Sequence, residues 1–225
     1  MIKAVIFDLD GTLLDRDRSV NLFIEQQYER LQQKLSHIPK ESYVHRFLEL
    51  DNRGYVWKDK VYQQMVEEFS IELSPEALLK DYLQYFQHHC VPFENLQSLL
   101  HNLKSQGLKL GIITNGYGQF QLENIRALGI EDEFDIILIS EWEGIRKPNP
   151  EIFNRALSKL GVSANESIFI GDHPINDVEA AKNVGMKAIW KRNDAWQSVE
   201  ADDIVDHLIE ILDLLMVWQK ETETK

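Results

Sequence analysis

Apolar residues fall along this chain in two rhythms. Five short runs are continuously apolar: Lys3–Phe7, Lys109–Ile113, Phe134–Ile139, Ser167–Ile170 and Lys187–Trp190. A run of that length without alternation predicts a strand covered on both faces, as in a parallel sheet. From residue 95 onward the runs alternate with stretches of helical period: about Leu96–Ser105 before Gly107, Gln119–Leu128 before Gly129, Pro150–Leu160 before Gly161, and Ile175–Val184 before Gly185. Glycine just past the last periodic residue suits a helix C-terminus, and Pro150 suits a first helical turn. Alternating strands and helices predict an α/β fold, a doubly wound parallel sheet of Rossmann-like form with helices on both faces.

Residues 15–92 break the alternation. Gly54 is their one glycine, and their apolar positions keep helical spacing in three runs: Leu22, Ile24, Tyr28, Leu31 and Leu35; Tyr62, Met65, Val66 and Phe69; Leu78, Leu79, Tyr82, Leu83 and Phe86. This predicts an all-helical domain, 15–92, inserted into a core of 1–14 plus 93–225. Near the end, Leu208, Ile211, Leu212, Leu215 and Trp218 predict a packed helix, and Lys220–Lys225 are expected to fray.

Charge narrows the function. The 24 basic and 37 acidic side chains leave a formal charge of −13, which repels polyphosphate backbones and argues against a nucleic acid polymer as partner. An anionic substrate would need a local positive field set against that global charge. No stretch approaches the ~18 uninterrupted apolar residues of a membrane span. The first apolar run ends at Asp8, too soon for a secretory signal, and the single cysteine, Cys90, suits a reducing cytoplasm. Cys90 follows His88 and His89, but no distant ligand pair accompanies them, so no metal site is expected there.

In an open parallel sheet, ligands bind beyond the carboxyl ends of the strands. The first strand leads into Asp8-Leu9-Asp10-Gly11-Thr12, the second into Thr114-Asn115-Gly116, and the fourth into Gly171-Asp172-His173 with Asn176-Asp177 shortly after. Any one of these suits a turn or a helix cap; three together suit a site. Asp8, Asp10 and Asp172 brought together would raise one another's pKa unless a cation sat among them. Hard oxygen ligands favour Mg²⁺, which also recruits phosphate oxygens, and a carboxylate held against a phosphoryl group is a competent nucleophile. Thr114 and Asn115 can donate to phosphoryl oxygens. Lys147, in Arg146-Lys147-Pro148-Asn149-Pro150, can supply a cation, although a lone lysine is more often a solvated surface residue.

These four ordered motifs, Asp8-Leu9-Asp10-Gly11-Thr12, Thr114-Asn115, Lys147 and Gly171-Asp172 with Asp177, resemble those of the haloacid dehalogenase superfamily. The helical insertion directly after the first motif is similar to the subfamily with a small helical cap. The resemblance implies Asp8 as nucleophile and Asp10 as general acid and base. It implies Mg²⁺ on the Asp8 carboxylate, the Asp10 backbone carbonyl and Asp172, with Thr114, Asn115 and Lys147 on the phosphoryl group and Asp177 in support. His173 stands where the family often has a small residue, and is read as a local variation. An alkoxide leaving group needs an acid whereas a halide does not, so Asp10 favours a phosphatase over a dehalogenase.

The implied reaction is Mg²⁺-dependent hydrolysis of a small phosphorylated metabolite through an aspartyl-phosphate, with a nucleotide among the candidate substrates. A phosphomutase with the same residues and a phospho-accepting regulatory domain stay open as alternatives, as does a phosphonate-cleaving lysine at Lys58 or Lys60. Specificity is expected in the cap turn around Gly54, where Arg53 and Lys58 offer charge; Tyr55 and Trp57 would either stack on a flat ring or pack into the cap's own core. The expected state is monomer or homodimer, with Trp196 or the C-terminal helix available for pairing.

Overall fold

The computed structural model describes residues 1–223. The chain forms two compact units, Met1–Asp15 with the chain from Pro92 onward, and Arg16–Val91. In chain order, β1 (Ala4–Phe7) is followed by α1 (Arg16–Arg30), α2 (Gln32–Leu35), α3 (Lys40–Asp51), α4 (Lys58–Phe69) and α5 (Pro75–Tyr85). Then come α6 (Leu96–Ser105), β2 (Lys109–Thr114), α7 (Gly118–Ala127), β3 (Ile136–Ile139), α8 (Ser140–Glu143) and α9 (Pro150–Leu160). The chain closes with β4 (Ser167–Gly171), a wide π-helical turn (Pro174–Glu179) running into α10 (Ala180–Asn183), β5 (Lys187–Lys191), β6 (Asp203–Val205) and α11 (Glu210–Glu223).

The first unit is a six-stranded sheet in the order β3-β2-β1-β4-β5-β6, parallel at every pairing. Strand order reverses beside β1, where Phe7 registers with Ile112 of β2 and Ile170 of β4. The ends of these three strands, and so the residues that follow them, lie side by side at the switch point. Every residue of β1 and β4 is buried, which explains their continuous apolar runs. On one face Ile6, Ile113, Phe169 and Trp190 pack with Ile152, Phe153, Ala156 and Leu160 of α9. Phe153 and Phe169 meet edge to face at 5.1 Å, a buried aromatic pair worth about 1 kcal/mol beyond its area. Helix α9 starts where expected because Asn149 caps it, accepting from Glu151 N–H at 3.0 Å, and it stops at Gly161, whose φ of 65° few other residues adopt.

The second unit is all-helical. Its core holds Phe23, Tyr43, Phe47, Tyr62 and Phe86, and a buried Gln27 organises the polar atoms among them. The Tyr43 and Tyr62 hydroxyls donate to Gln27 Oε1 at 3.0 Å each, while Gln27 Nε2 donates to Asp81 and to the Leu78 carbonyl. Burial pushes both tyrosine hydroxyls up, so neither ionises at physiological pH. Between α3 and α4, Asn52, Arg53 and Gly54 all take positive φ (44°, 56° and 89°). Two non-glycine residues there cost roughly 1–2 kcal/mol each. The turn is held by buried Asp51, which is paired to Arg16 at 2.9 Å and to Lys58.

The structure departs from the expectations in four places. Edge strand β6 has no apolar run to announce it: its three residues begin at Asp203, and only Val205 is buried. In the insertion, α3 lies between two expected helical runs, with only Tyr43 and Phe47 as buried apolar residues, and the first run divides at Leu31 into α1 and α2. The helix expected over Ile175–Val184 begins instead as the π-helical turn at Pro174. Helix α11 runs on to Glu223, past the start of the tail expected to fray at Lys220; residues 224 and 225 of that tail lie outside the described residues. No helix among the described residues is long and apolar enough to cross a membrane.

Candidate active site

The site grows from the end of β1. Asp8 continues the strand for one residue, its N–H bonded to the Ile170 carbonyl at 2.9 Å, and is almost fully buried. The chain then turns tightly, with the N–H groups of Thr12, Leu13 and Leu14 converging on the Leu9 carbonyl. Gly11 makes the turn possible twice over. Its φ is 84°, and a Cβ there would collide with the Asp172 carboxylate.

Lys147 is no solvated lysine: it is 3% exposed. Its ammonium donates to Asp8 Oδ1 at 2.6 Å and to Asp177 Oδ1 at 2.7 Å. Burial opposes its charge, but the Asp177 and Asp8 carboxylates overcome that and hold Lys147 above the ordinary lysine range. Its backbone is clamped by Asn115, which accepts from Lys147 N–H at 2.9 Å and donates to the Lys147 carbonyl at 3.0 Å. The Asn115 side chain, expected to face a phosphoryl group, is therefore engaged in setting the lysine's position. Asp177 divides its carboxylate between Lys147 and the His173 N–H, the latter at 3.0 Å.

Asp172 follows β4. Its carbonyl accepts from the Trp190 indole at 2.8 Å, and its Oδ2 accepts from Asn193 Nδ2 at 2.6 Å. Carboxylate oxygens of Asp8, Asp172 and Asp177 all lie within 4.8 Å of one another. Three carboxylates around one ammonium leave surplus negative charge in a buried place. Burial, Asp177 and Asp172 push the Asp8 carboxyl well above its usual range, although Lys147 opposes them. Asp172 is raised to about 7, chiefly by burial and by Asp177, against the hydrogen bond from Asn193. Hard oxygen donors at this spacing with unbalanced charge fit a divalent cation such as Mg²⁺. Asp8 and Asp172 could hold one, and Asp10 could add its backbone carbonyl.

His173 has a structural task. Its Nδ1 accepts from the N–H groups of Ile175 and Asn176 at 3.1 and 3.2 Å, capping the π-helical turn, and its ring lies 5.1 Å from that of Trp196. Trp196, expected to be exposed and available for pairing, is instead half-buried against the core. Burial lowers the His173 pKa, which agrees with a neutral ring whose Nδ1 is an acceptor.

Thr114 and Asp10 are joined by a residue that sequence reading passed over. Gln121 Nε2 donates to both Asp10 Oδ2 and Thr114 Oγ1, at 2.7 Å each. Its only sequence signal is a polar residue on the buried face of an amphipathic helix, with Asn124 one turn on. Asn193 lies two residues past the end of β5, so reading the strand-end rule on that strand as well could have found it.

The expected specificity residues belong to the helical unit. Tyr55 and Trp57 are 56% and 54% exposed, so they do not pack into that unit's core. The charges of Arg53 and Lys58 face acids of their own unit, Asp17 at 2.8 Å and Asp51 respectively.

A parallel sheet that presents clustered carboxylates and one buried lysine at its switch point defines an α/β enzyme built for chemistry on an anionic group. Comparison with known proteins gives the family: the chain belongs to the haloacid dehalogenase-like hydrolases, whose pattern matches residues 5–191. It is 31% identical to a glyceraldehyde 3-phosphate phosphatase of Pyrococcus abyssi over 84% of this chain and 81% of that one. It is 29% identical to the protein of that name from Pyrococcus furiosus, over 98% and 94%. Among solved structures, a haloacid dehalogenase-type phosphatase from Thermococcus onnurineus superposes with a TM-score of 0.68 at 30% identity, covering 95% of this chain and 98% of that one.

Proposed function

We propose that this protein is a Mg²⁺-dependent phosphatase that hydrolyses the phosphate monoester of a small metabolite through an aspartyl-phosphate at Asp8. The observation that carries the reading is the pairing of Asp8 with buried Lys147 while a second acid, Asp10, stands two residues on. The Asp8 carboxylate attacks phosphorus, the ester oxygen departs, and Asp10 gives that oxygen a proton. Asp10 then takes a proton from water as the water attacks phosphorus, which releases inorganic phosphate and restores the Asp8 carboxylate. Lys147 and the Thr114 hydroxyl meet the charge on the transferring oxygens. Asp8, Asp172 and the Asp10 carbonyl would hold Mg²⁺, which when bound would supply the positive charge that lets a carboxylate approach a phosphate. Asp177 keeps Lys147 in place, and Asn115 fixes the loop that carries it.

The relatives' names point to small polar phosphates: a triose phosphate, phosphoserine and N-acetylmuramic acid 6-phosphate. A substrate of that class needs no ring-stacking platform, so a nucleotide is not required. The lone Cys90 agrees with a cytoplasmic setting.

The test is phosphate release from p-nitrophenyl phosphate and from those three esters, with Mg²⁺ and with chelator. Mg²⁺-dependent turnover by the wild type and background turnover by Asp8→Asn are expected. Undiminished release by Asp8→Asn, or no release from any phosphate ester, would overturn the proposal.

A further inference from the structure

We infer that Gln121 is a positioning residue that aims two protons at once, the one Asp10 passes to the leaving group and the one Thr114 donates to the phosphoryl oxygen. The inference rests on the phosphatase reading. Gln121 lies in the first turn of α7 and is 2% exposed. A primary amide nitrogen carries two hydrogens. At Gln121 one is directed to Asp10 Oδ2 and the other to Thr114 Oγ1, both at 2.7 Å, with a longer contact of 3.5 Å to the Asn115 carbonyl. The amide is held in that orientation from behind, because Gln121 Oε1 accepts from Asn124 Nδ2 at 3.2 Å. Reversed, it would set an oxygen against the Asp10 carboxylate and one NH₂ against another. Gly116 leaves the necessary room: a Cβ there would lie 2.7 Å from Gln121 Cγ.

With Oδ2 accepting from the amide, the transferable proton of Asp10 belongs on Oδ1. A threonine hydroxyl has one hydrogen and two lone pairs, so with one lone pair taken by Gln121 its hydrogen points elsewhere, free to meet a phosphoryl oxygen. One neutral amide thus orders the acid and a phosphate donor, in a place where a carboxylate would repel Asp10.

The test compares Gln121→Met, of similar length without donors, on an alkyl phosphate and on p-nitrophenyl phosphate, whose phenolate leaves with little help. General acid catalysis is worth 10²–10⁴-fold. Gln121→Met should therefore lose roughly 10²-fold in kcat on the alkyl ester and less than tenfold on the aryl ester, with KM raised on both through Thr114. In an Asp10→Asn background, the same substitution should cost little further on the alkyl ester, since the acid it serves is gone. Asn124→Ala, which leaves Gln121 present but unanchored, should show the same selective loss at smaller size and guards against a folding defect in Gln121→Met. Equal losses on both esters, or full additivity with Asp10→Asn, would overturn the inference. Those results beside an inactive Asp8→Asn would discard the role of Gln121 alone, whereas an active Asp8→Asn would discard the phosphatase reading beneath it.

Discussion

Removing divalent metal should make stability fall as pH rises, which is the reverse of ordinary carboxylate behaviour. Asp172 is held near 7 in the folded chain, against about 3.9 when unfolded. Its folded pKa is raised, so its contribution is present in full below the unfolded value and is lost as pH climbs from there to about 7. The full span is about 3 pH units, or about 4 kcal/mol at 1.36 kcal/mol per unit; from pH 5 to just above 7, where the group is only part-protonated, it is about 2 kcal/mol. Asp8, raised as well, acts in the same direction. His89 and His173, both lowered by burial, act in the opposite sense below about pH 6.5, and whatever share is common to the two conditions cancels in a difference. The quantity to measure is therefore the Mg²⁺-induced rise in Tm, taken at pH 5 and at pH 7.5 with saturating Mg²⁺ against chelator. For a chain of this length 1 kcal/mol moves Tm by about 2–4 °C, so the rise should be about 4–8 °C larger at the higher pH. In chelator, Asp172→Asn should reduce the slope, leaving the part that belongs to Asp8. A Mg²⁺ effect of the same size at both pH values would refute the crowded, charge-starved site described above.

Two substitutions probe how the site is held. Lys147→Met strands the Asp8 and Asp177 carboxylates without their ammonium; urea unfolding in chelator should show a loss of about 3–5 kcal/mol, reduced by saturating Mg²⁺, and a loss under 1 kcal/mol would contradict that burial. Gly11→Ala forces a Cβ into the Asp172 carboxylate at a φ of 84°, so a Mg²⁺ titration followed by tryptophan fluorescence should show roughly 10–100-fold weaker binding, whereas Gly129→Ala, at a φ of 68° with nothing nearer than 3.9 Å, should leave Mg²⁺ affinity unchanged.

The parts of the fold legible in the sequence were those where burial imposes a strong pattern. β1 and β4 are covered on both faces and read as unbroken apolar runs, and α9 has a stripe of Ile152, Phe153, Ala156, Leu157 and Leu160 between a capping Asn149 and Gly161. β6 was not legible, because an edge strand of three residues buries one side chain. The turn at Pro174 was not legible either, since its departure from α-helix comes from His173 capping two successive N–H groups, a tertiary arrangement without periodicity. In the site, residues that follow strands were visible because topology carries strand ends to one place. Gln121 acts on Asp10 from a helix face, and no rule of spacing connects the two in one dimension; Asn193, which acts on Asp172, lies two residues past the end of β5, where the strand-end rule reaches it but a neutral amide in a polar loop does not stand out. The ion pairs of Arg53 and Lys58 were not legible either, since their acidic partners, Asp17 and Asp51, are chosen by the fold of the helical unit.

In the proposed reaction Asp8 takes the phosphoryl group from substrate. Mass spectrometry of acid-quenched protein, sampled within the first turnover of a reactive aryl phosphate with Mg²⁺, tests it directly. The added mass of one phosphoryl group is expected on the peptide that contains Asp8, appearing before free phosphate reaches its steady rate and absent from Asp8→Asn. Phosphate released at full rate with that peptide unmodified throughout, or the phosphoryl group found on another residue, would contradict it.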